Sequence, residues 1–272
     1  MSNDQKVVLV TGASSGIGKH AALLLAKNGW TVFGTSRSKK EPLQSNGASV
    51  SMVVMDVDDD ASVKKAIDEI VKKTKRLDAV VNNAGVGIAG PIEETTSKSA
   101  HAQLETNFFG MHRVCREVVK VMRNQGFGTI INVSSIGGVV GLPFQGFYSA
   151  SKFAIEGYSE ALRMEVRQFG IKVVLVEPGD IATEFTKRRI NQISKDSAYK
   201  ESFNRVMSTV EHDETSGCSP DLVAKTIVRA LNKKSPKLRF RAGAFTQKLV
   251  CTLKRILPAR SMEWILRKYY KV

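Results

Sequence analysis

The chain has 272 residues, of which 42% are hydrophobic and 25% are charged, with 41 Lys and Arg against 26 Asp and Glu. This composition is typical of a folded globular protein and excludes a disordered chain, a collagen-like repeat and a disulfide-rich scaffold. The three cysteines lie far apart, so the sequence predicts neither a metal site nor a disulfide framework and favours a reducing, cytoplasmic location.

The positive charge is concentrated near the C-terminus. Residues 221–272 contain eight lysines and six arginines against Asp221 and Glu263, which is +12 of the total net charge of +15. Residues 1–220 are close to neutral, so the basicity belongs to the C-terminal region and not to the whole chain. We therefore predict a main domain over 1–220 and a basic helical extension over 221–272, packed on the domain or appended to it.

Short β-branched runs alternate with helical patterns in the first two thirds of the chain. The predicted elements are a strand at 7–11, a helix ending at 27, strands at 31–35 and 50–55, a helix at 60–73, a strand at 79–81, a helix at 101–123, a strand at 129–133, a helix at 149–169 and a strand at 171–176. Apolar strands separated by helices indicate a parallel sheet that is covered on both faces. With right-handed crossovers, this pattern predicts a single α/β domain built on a doubly wound parallel sheet of Rossmann type.

Residues 181–217 interrupt this alternation. They are polar, mixed in charge and only weakly helical in pattern, and they follow directly after a strand end. A long insertion at the carboxyl edge of a parallel sheet is where a lid over a ligand site would lie. We therefore predict a substrate lid over 181–217.

A glycine-rich turn separates the first predicted strand from the first helix. Its glycines fall as G-x-x-x-G-x-G, which differs from the spacing of a Walker A loop. Such glycines let the backbone turn tightly and approach a pyrophosphate, which then binds at the N-terminus of the helix. The turn predicts a dinucleotide site, with contacts from Gly12, Ser14, Ser15, Gly16, Ile17 and Gly18.

The end of the second predicted strand discriminates between nicotinamide cofactors. Proteins that bind NAD usually place an acid here to hold the ribose 2′-hydroxyl, whereas an arginine accommodates a 2′-phosphate. This chain has Ser36 and Arg37, and its next acidic residue is Glu41. We predict that NADP(H) is favoured over NAD(H); the alternative is that Arg37 belongs to a solvated basic turn.

Several short motifs then occur together in one order. They are TGASSGIG at 11–18, NNAG at 82–85, Asn107, the serine pair at 134–135, YSASK at 148–152 and the Pro-Gly pair at 178–179. In this order and spacing they resemble the short-chain dehydrogenase/reductase family, and within it the 17-beta-hydroxysteroid and retinol dehydrogenases. The resemblance implies a nicotinamide cofactor, hydride transfer between an alcohol and a carbonyl group, and assembly into a homodimer or homotetramer.

The YSASK motif carries the predicted acid/base chemistry. Tyr148 and Lys152 are four residues apart and therefore share one helix face, where a lysine ammonium would lower the pKa of the phenol. Ser135 would donate a hydrogen bond to the substrate oxygen. The resemblance implies that Tyr148 is the proton donor and acceptor, that Lys152 holds the nicotinamide ribose, and that Asn107 holds a water in a proton relay behind Lys152. Without the other motifs, a surface helix pair would explain the Tyr148–Lys152 spacing equally well.

The same resemblance implies further cofactor contacts after the later strands. Asp56 and Val57 match the adenine contact, and Thr183 matches the contact to the nicotinamide carboxamide. The remaining positions are Asn83, Ala84 and Gly85 on the ribose side, together with Pro178, Gly179 and Ile181.

The segment between Ser135 and Tyr148 is apolar and offers few polar groups to a substrate. We expect a lipophilic ketone, aldehyde or alcohol of steroid, retinoid or acyl-chain type; a 3-oxoacyl thioester or a sphingoid ketone fits the same wall. Ordinary packing beside the site is the alternative explanation for these apolar residues. The predicted substrate contacts are Ser135, Val139, Leu142, Phe144, Phe147, Tyr148 and Phe185.

The C-terminal region carries two apolar stripes at helical spacing, within 245–257 and 262–269, and both are flanked by Lys and Arg. Basic amphipathic helices bind anionic membrane surfaces, so a peripheral membrane contact through 245–270 is one prediction. The alternative is that both stripes pack on the domain or on a second subunit. No nucleic-acid recognition motif is present, so we expect no specific nucleic-acid partner. A protein that senses NADPH and uses this tail as a contact is the non-enzymatic alternative.

Overall fold

The computed structural model describes residues 5–45 and 47–272. The strands are β1 (Val7–Val10), β2 (Thr31–Ser36), β3 (Leu43–Ser45), β4 (Ala48–Val54), β5 (Ala79–Asn82), β6 (Ile88–Ala89), β7 (Gly128–Val133), β8 (Ile171–Pro178), β9 (Ile190–Asn191) and β10 (Arg239–Ala242). The helices are α1 (Gly16–Lys27), α2 (Asp60–Thr74), α3 (Ser97–Leu104), α4 (Gly110–Gln125), α5 (Gly146–Val166), α6 (Phe185–Arg188), α7 (Lys200–Thr215), α8 (Pro220–Leu231), α9 (Phe245–Ile256) and α10 (Ala259–Tyr270). A π-helical turn over Glu105–Phe109 joins α3 to α4, so the helix predicted at 101–123 begins earlier and is interrupted.

The main sheet has the strand order β10-β8-β7-β5-β1-β2-β4-β3. Its strands are parallel except for β3, which pairs antiparallel with β4. Alternate residues of each central strand enter opposite cores: Leu9 and Val80 pack beneath α2, α4 and α5, whereas Val8 and Val81 pack beneath α1 and α8. This two-sided burial explains why the strands read as continuous apolar runs. The predicted doubly wound parallel sheet is confirmed.

Part of the predicted C-terminal extension belongs to this sheet. The division at 220/221 falls at the start of α8, which packs on α1, and β10 then pairs with β8 as an edge strand. Arg239 on β10 forms ion pairs with Glu156 at 3.0 Å and with the fully buried Glu177 at 3.1 Å. The extension beyond the sheet is therefore only α9 and α10. The sequence analysis missed β10, which has only four residues and lies in a segment rich in basic residues.

The predicted lid, 181–217, folds as α6, β9 and α7. Backbone hydrogen bonds of 3.0 Å join Cys218 to Asp180 and to Ala182, so the two ends of the segment lie together. Strand β9 pairs with β6 in a small second sheet. The apolar face of α7 packs in a third core cluster with Ala89 and Tyr270, which brings α10 against the lid. In the part of the chain that the structure describes, no helix is long and apolar enough to cross a membrane.

Candidate active site

A cavity of about 670 Å³ lies at the carboxyl edge of the sheet. Its walls come from the loops that follow β1, β2, β4, β5, β7 and β8, and from α6, α7 and α10. The strand order of the sheet reverses between β1 and β5, and in open parallel sheets a ligand crevice forms outside the strand ends at such a reversal. The cavity therefore lies where this topology places a ligand.

Most of the predicted site residues line this cavity. Those that do are Gly12, Ser14, Ser15, Gly16, Ile17, Ser36, Arg37, Asp56, Val57, Asn83, Ala84, Gly85, Asn107, Ser135, Leu142, Tyr148, Lys152, Pro178, Gly179, Ile181, Thr183 and Phe185. The structure thus brings together the glycine-rich turn, the YSASK motif and the predicted lid. Gly18 lies outside the lining, because it packs beneath the turn against Gly12 and Asn83.

Three predicted substrate contacts also lie outside the cavity, which corrects the expected apolar wall. Phe144 has a positive φ of 58°, and its ring packs edge-on against Phe203 of α7 with centroids 5.5 Å apart. Val139 and Phe147, which lie in the described part of the chain, likewise do not line the cavity. Of the predicted segment, Leu142 does line the cavity, and the lid and α10 add the apolar side chains of Phe185, Ile190, Val210 and Tyr270. The lid and Phe185 were predicted at this position, whereas Tyr270 of α10 was not.

The glycine-rich turn fits the phosphates of a dinucleotide. Gly12 and Gly16 have φ values of +64° and +52°, which favour glycine, and a Cβ at Gly18 would collide with the Gly12 carbonyl oxygen. The hydroxyl of Thr11 accepts hydrogen bonds of 2.9 Å from the backbone N–H groups of Asn83 and Ala84, which holds the NNAG loop against the turn. The N-terminus of α1 consequently lies at the cavity in a position that suits an anion.

Arg188 is a cation beside this turn that the sequence analysis missed. Its guanidinium donates a hydrogen bond of 3.0 Å to the Ser15 hydroxyl and also pairs with Glu184 at 2.6 Å. Because Ser15 and Arg188 are far apart in sequence, only the fold of the lid reveals their contact. Arg37, at the end of β2, lines the same cavity as an exposed side chain.

Tyr148 is placed to act as a proton donor. Burial raises the pKa of Tyr148 to about 12, and a hydrogen bond with Ser135 opposes this rise. The predicted lowering of this pKa by Lys152 is therefore not what dominates in the structure. The Ser135 hydroxyl oxygen accepts a hydrogen bond of 3.0 Å from the Gly137 N–H, which fixes its position. Tyr148 is thus a neutral phenol at pH 7, which is the form that can give a proton to a developing alkoxide.

Lys152 lies behind Tyr148 on the same face of α5. Its Nζ donates to the Val133 carbonyl oxygen at 3.0 Å and lies 5.8 Å from the centroid of the Tyr148 ring. Burial lowers the pKa of Lys152 to about 8, and the nearby carboxylate of Glu156 opposes this effect. Lys152 is therefore largely protonated at pH 7 and contributes a positive charge to the site.

The amide of Asn107 holds two parts of the site together. Asn107 lies in the π-helical turn, where its Oδ1 accepts from the Val86 N–H at 2.8 Å and its Nδ2 donates to the Ser151 hydroxyl at 3.1 Å. The loop after β5 is thereby fixed to α5 one residue before Lys152. Its implied role in a water relay stays a prediction.

A group of carboxylates at the two ends of the lid lines the cavity, and the sequence analysis did not identify it. Asp180 follows β8, and Asp213 and Glu214 come from the end of α7. Burial, together with the charges of Asp213 and Glu214, raises the pKa of Asp180 to about 7, and Arg189 opposes the rise. Gln247 of α9 donates a hydrogen bond to Asp180, so the C-terminal helices contact this group directly.

Comparison with known proteins identifies the family. The family model for short chain dehydrogenases matches residues 6–194, and the chain belongs to this family of oxidoreductases. A 3-ketodihydrosphingosine reductase of Bacteroides thetaiotaomicron is 44% identical over 269 residues, which are 98% of each chain. Retinol dehydrogenase 8 of Bos taurus is 33% identical over 282 residues, covering 96% of this chain and 89% of that one.

Solved structures agree with the fold. A short-chain dehydrogenase from Streptomyces avermitilis superposes with a TM-score of 0.82 at 30% identity and with 96% coverage of both chains. ElxO with NADP bound superposes with a TM-score of 0.72 at 29% identity, covering 88% of this chain and 97% of that one. The chain is therefore similar in sequence and fold to enzymes of the short-chain dehydrogenase/reductase family.

The raised pKa of Asp180 predicts a pH-dependent cost in stability. Below about pH 4 this carboxyl is protonated in both the folded and the unfolded chain. Between about pH 4 and pH 7 it is ionised in the unfolded chain but still protonated in the folded chain, so the free energy of unfolding falls as the pH rises. Above about pH 7 the free energy of unfolding stays at this lower value. Asp180→Asn cannot titrate. We expect its melting temperature to exceed that of the wild type by a margin that grows from pH 4 to pH 7 and reaches roughly 10 °C.

Thermal unfolding of both proteins at several pH values checks this expectation. Asp68→Asn, which removes an exposed carboxylate on α2, is the matched control and is expected to give a nearly constant difference. A difference between Asp180→Asn and wild type that does not change with pH would contradict the assignment.

Proposed function

We propose that the protein is an NADP(H)-dependent reductase of lipophilic ketones, with a long-chain sphingoid ketone as its preferred substrate class. The observation that carries this proposal is the single continuous cavity at the sheet edge. It connects the glycine-rich turn to Ser135, Tyr148 and Lys152, and continues to an apolar wall with carboxylates beside it. A cofactor, a reacting carbonyl group and an alkyl chain would each have a matching part of this cavity.

The residues of the chain supply the proton and the orientation for this reduction. When it is bound, the nicotinamide supplies a hydride to the carbonyl carbon of the substrate. Ser135 and Tyr148 donate hydrogen bonds to the carbonyl oxygen, and Tyr148 transfers its proton to that oxygen as negative charge develops there. The ammonium group of Lys152 stabilises the phenolate that remains. The product is a secondary alcohol.

Arg37 supports NADP(H) as the cofactor. It lines the cavity at the end of β2, where a 2′-phosphate is recognised in folds of this type, and Ser36 lies beside it. Lys39 and Lys40 follow on the same exposed turn and add positive charge. The NADP-bound relative ElxO adds support to this preference.

The carboxylates favour a sphingoid ketone over the other lipophilic candidates. Such a ketone carries an amino group next to the carbonyl group, and its protonated form complements Asp180 and Asp213. Glu214, in contrast, is already paired with the buried Arg189. A 3-oxoacyl thioester brings the phosphate of its carrier, and a retinoid or steroid brings no cation. The reductase of Bacteroides thetaiotaomicron, whose name contains this substrate, adds support because 98% of both chains align.

We propose that the protein acts as a homodimer or homotetramer through the two long helices, α4 and α5. Phe153 and Met164 of α5, and Phe109 just before α4, are exposed apolar side chains on these elements. We also propose that it works at the cytoplasmic face of a membrane, which it contacts through 245–270.

Tyr148→Phe tests the proposed reaction. This change removes only the phenolic hydroxyl, so kcat for NADPH-dependent reduction of 3-ketodihydrosphingosine is expected to fall by about 10²–10⁴-fold. The affinity for NADPH is expected to stay within about twofold, because the ring remains in place. Steady-state NADPH oxidation and fluorescence titration measure the two quantities.

Tyr158→Phe is the matched control, because Tyr158 lies on the same helix and its hydroxyl contacts His112 instead of the cavity. Its turnover is expected to match the wild type. Preserved turnover in Tyr148→Phe would overturn the mechanism. Tight NADPH binding without turnover of any lipophilic ketone by the wild type would favour the NADPH-sensing alternative.

Arg37→Asp tests the cofactor preference. A hydrogen bond between an arginine and a phosphate contributes about 1.5–3 kcal/mol, so we expect the Kd for NADPH to rise roughly 10–100-fold. The Kd for NADH is expected to stay constant or to fall, because an aspartate can hold the ribose 2′-hydroxyl. Lys39→Asp makes the same charge change two residues away and is expected to have a much smaller effect. Equal loss of NADPH affinity in both variants would mean that Arg37 acts only through its positive charge and not through a specific contact with the 2′-phosphate.

Asp213→Asn tests the substrate class. We expect the KM for the amino ketone to rise by about fivefold to tenfold, because a charged partner of the ammonium group is lost. The KM for a neutral ketone of equal chain length and the Kd for NADPH are expected to stay unchanged. A parallel rise in KM for both ketones would instead indicate a change in the shape of the cavity.

A further inference from the structure

Helix α10 presents two different faces. Met262, Leu266 and Tyr270 are spaced by four residues, and the last two pack in the core cluster formed by α7. Tyr270 also lines the cavity, and the neighbouring Tyr269 donates a hydrogen bond of 2.6 Å to Asp213. This face of α10 therefore packs on α7 and contributes Tyr270 to the lining of the cavity.

The opposite face of α10 is cationic and has a tryptophan at its centre. Trp264 is 63% exposed, and four basic residues surround it at helical spacing: Arg260, Arg267, Lys268 and Lys271. Glu263 is the single acidic residue in this helix. A tryptophan is favoured at the membrane–water interface, and each basic side chain near an anionic bilayer contributes about 1 kcal/mol.

Helix α9 adds an exposed apolar stripe. Phe245, Leu249 and Ile256 are 79%, 43% and 73% exposed, and their spacing of four and seven residues places them on one side of the helix. Basic residues Lys254 and Arg255 lie at its C-terminal end. Exposed apolar residues with flanking cations are typical of helices that lie in the plane of a bilayer interface.

We propose that this α9–α10 surface docks the protein on an anionic lipid bilayer, and that α10 thereby carries the wall of the substrate cavity to that bilayer. A second copy of the chain is a poor occupant, because two cationic α10 faces would repel each other. A nucleic acid would match the charge but would leave the stripe of α9 in water. The benefit of this docking for catalysis rests on the proposed function. A lipophilic ketone partitions into the bilayer, so a docked protein would meet its substrate there.

Vesicle co-sedimentation of the full chain tests the docking surface. The probes are phosphatidylcholine vesicles with and without about one quarter phosphatidylserine, at low and at high salt. The wild type is expected to bind the anionic vesicles and to dissociate at high salt. In a Trp30→Phe background, Trp264 emission is expected to shift to shorter wavelength on binding, because its indole leaves water.

Charge-reversal variants locate the contact. We expect at least about a tenfold loss of vesicle affinity in the triple variant Arg260→Glu/Arg267→Glu/Lys271→Glu. The matched control is the triple variant Lys27→Glu/Lys65→Glu/Lys72→Glu, which changes the net charge equally at exposed sites away from α10. It is expected to retain most of the vesicle affinity. Equal losses in the two variants, or equal binding of wild type to neutral and anionic vesicles, would overturn the proposal.

Activity separates this inference from the proposed reaction. With a short, water-soluble ketone, the α10 variant is expected to reduce substrate at the wild-type rate. With the long-chain ketone presented in anionic vesicles, its rate is expected to fall together with its binding. A wild-type protein that binds vesicles but reduces no ketone would leave the docking surface standing and reject the proposed function.

Discussion

The reversal of strand order between β1 and β5 is the constraint on which the site depends. The chain leaves β1 towards one face of the sheet and leaves β5 towards the other, because each face must be covered by its own helices. The loops after these strands therefore separate and leave a crevice at the carboxyl edge. Thr11 bridges the two loops by accepting hydrogen bonds from Asn83 and Ala84, and so keeps the glycine-rich turn in one position.

Burial adjusts the titrating groups around this crevice in different ways. It keeps Tyr148 protonated, lowers the pKa of Lys152 to about 8 and raises that of Asp180 to about 7. Each shift disfavours the charged form, and the partners of each group set how far it goes. A protonated tyrosine beside a cationic lysine suits proton delivery to a carbonyl oxygen. Asp213 and the partly ionised Asp180 give this part of the cavity a negative character, whereas the charge of Glu214 is balanced by Arg189.

The C-terminal region joins the site to the surface. Strand β10 pairs with β8 at the edge of the sheet, and Arg239 adds ion pairs with Glu156 and Glu177. Gln247 of α9 contacts Asp180, and Tyr270 of α10 lines the cavity. The region that contributes most of the positive charge thus also closes the part of the cavity that we assign to substrate.

By themselves, the amino acids determined the parallel sheet, the glycine-rich turn and the positions of Ser135, Tyr148 and Lys152. Those features depend on local periodicity and on motifs whose spacing is read directly from the chain. Tertiary structure decided the rest. The ring of Phe144 packs against Phe203 of α7 and away from the cavity. Strand β10 pairs with β8, and Asp180, Asp213 and Glu214 come together at the cavity. These arrangements depend on contacts between distant segments, whose packing energy outweighs local preference and leaves no local pattern in the sequence.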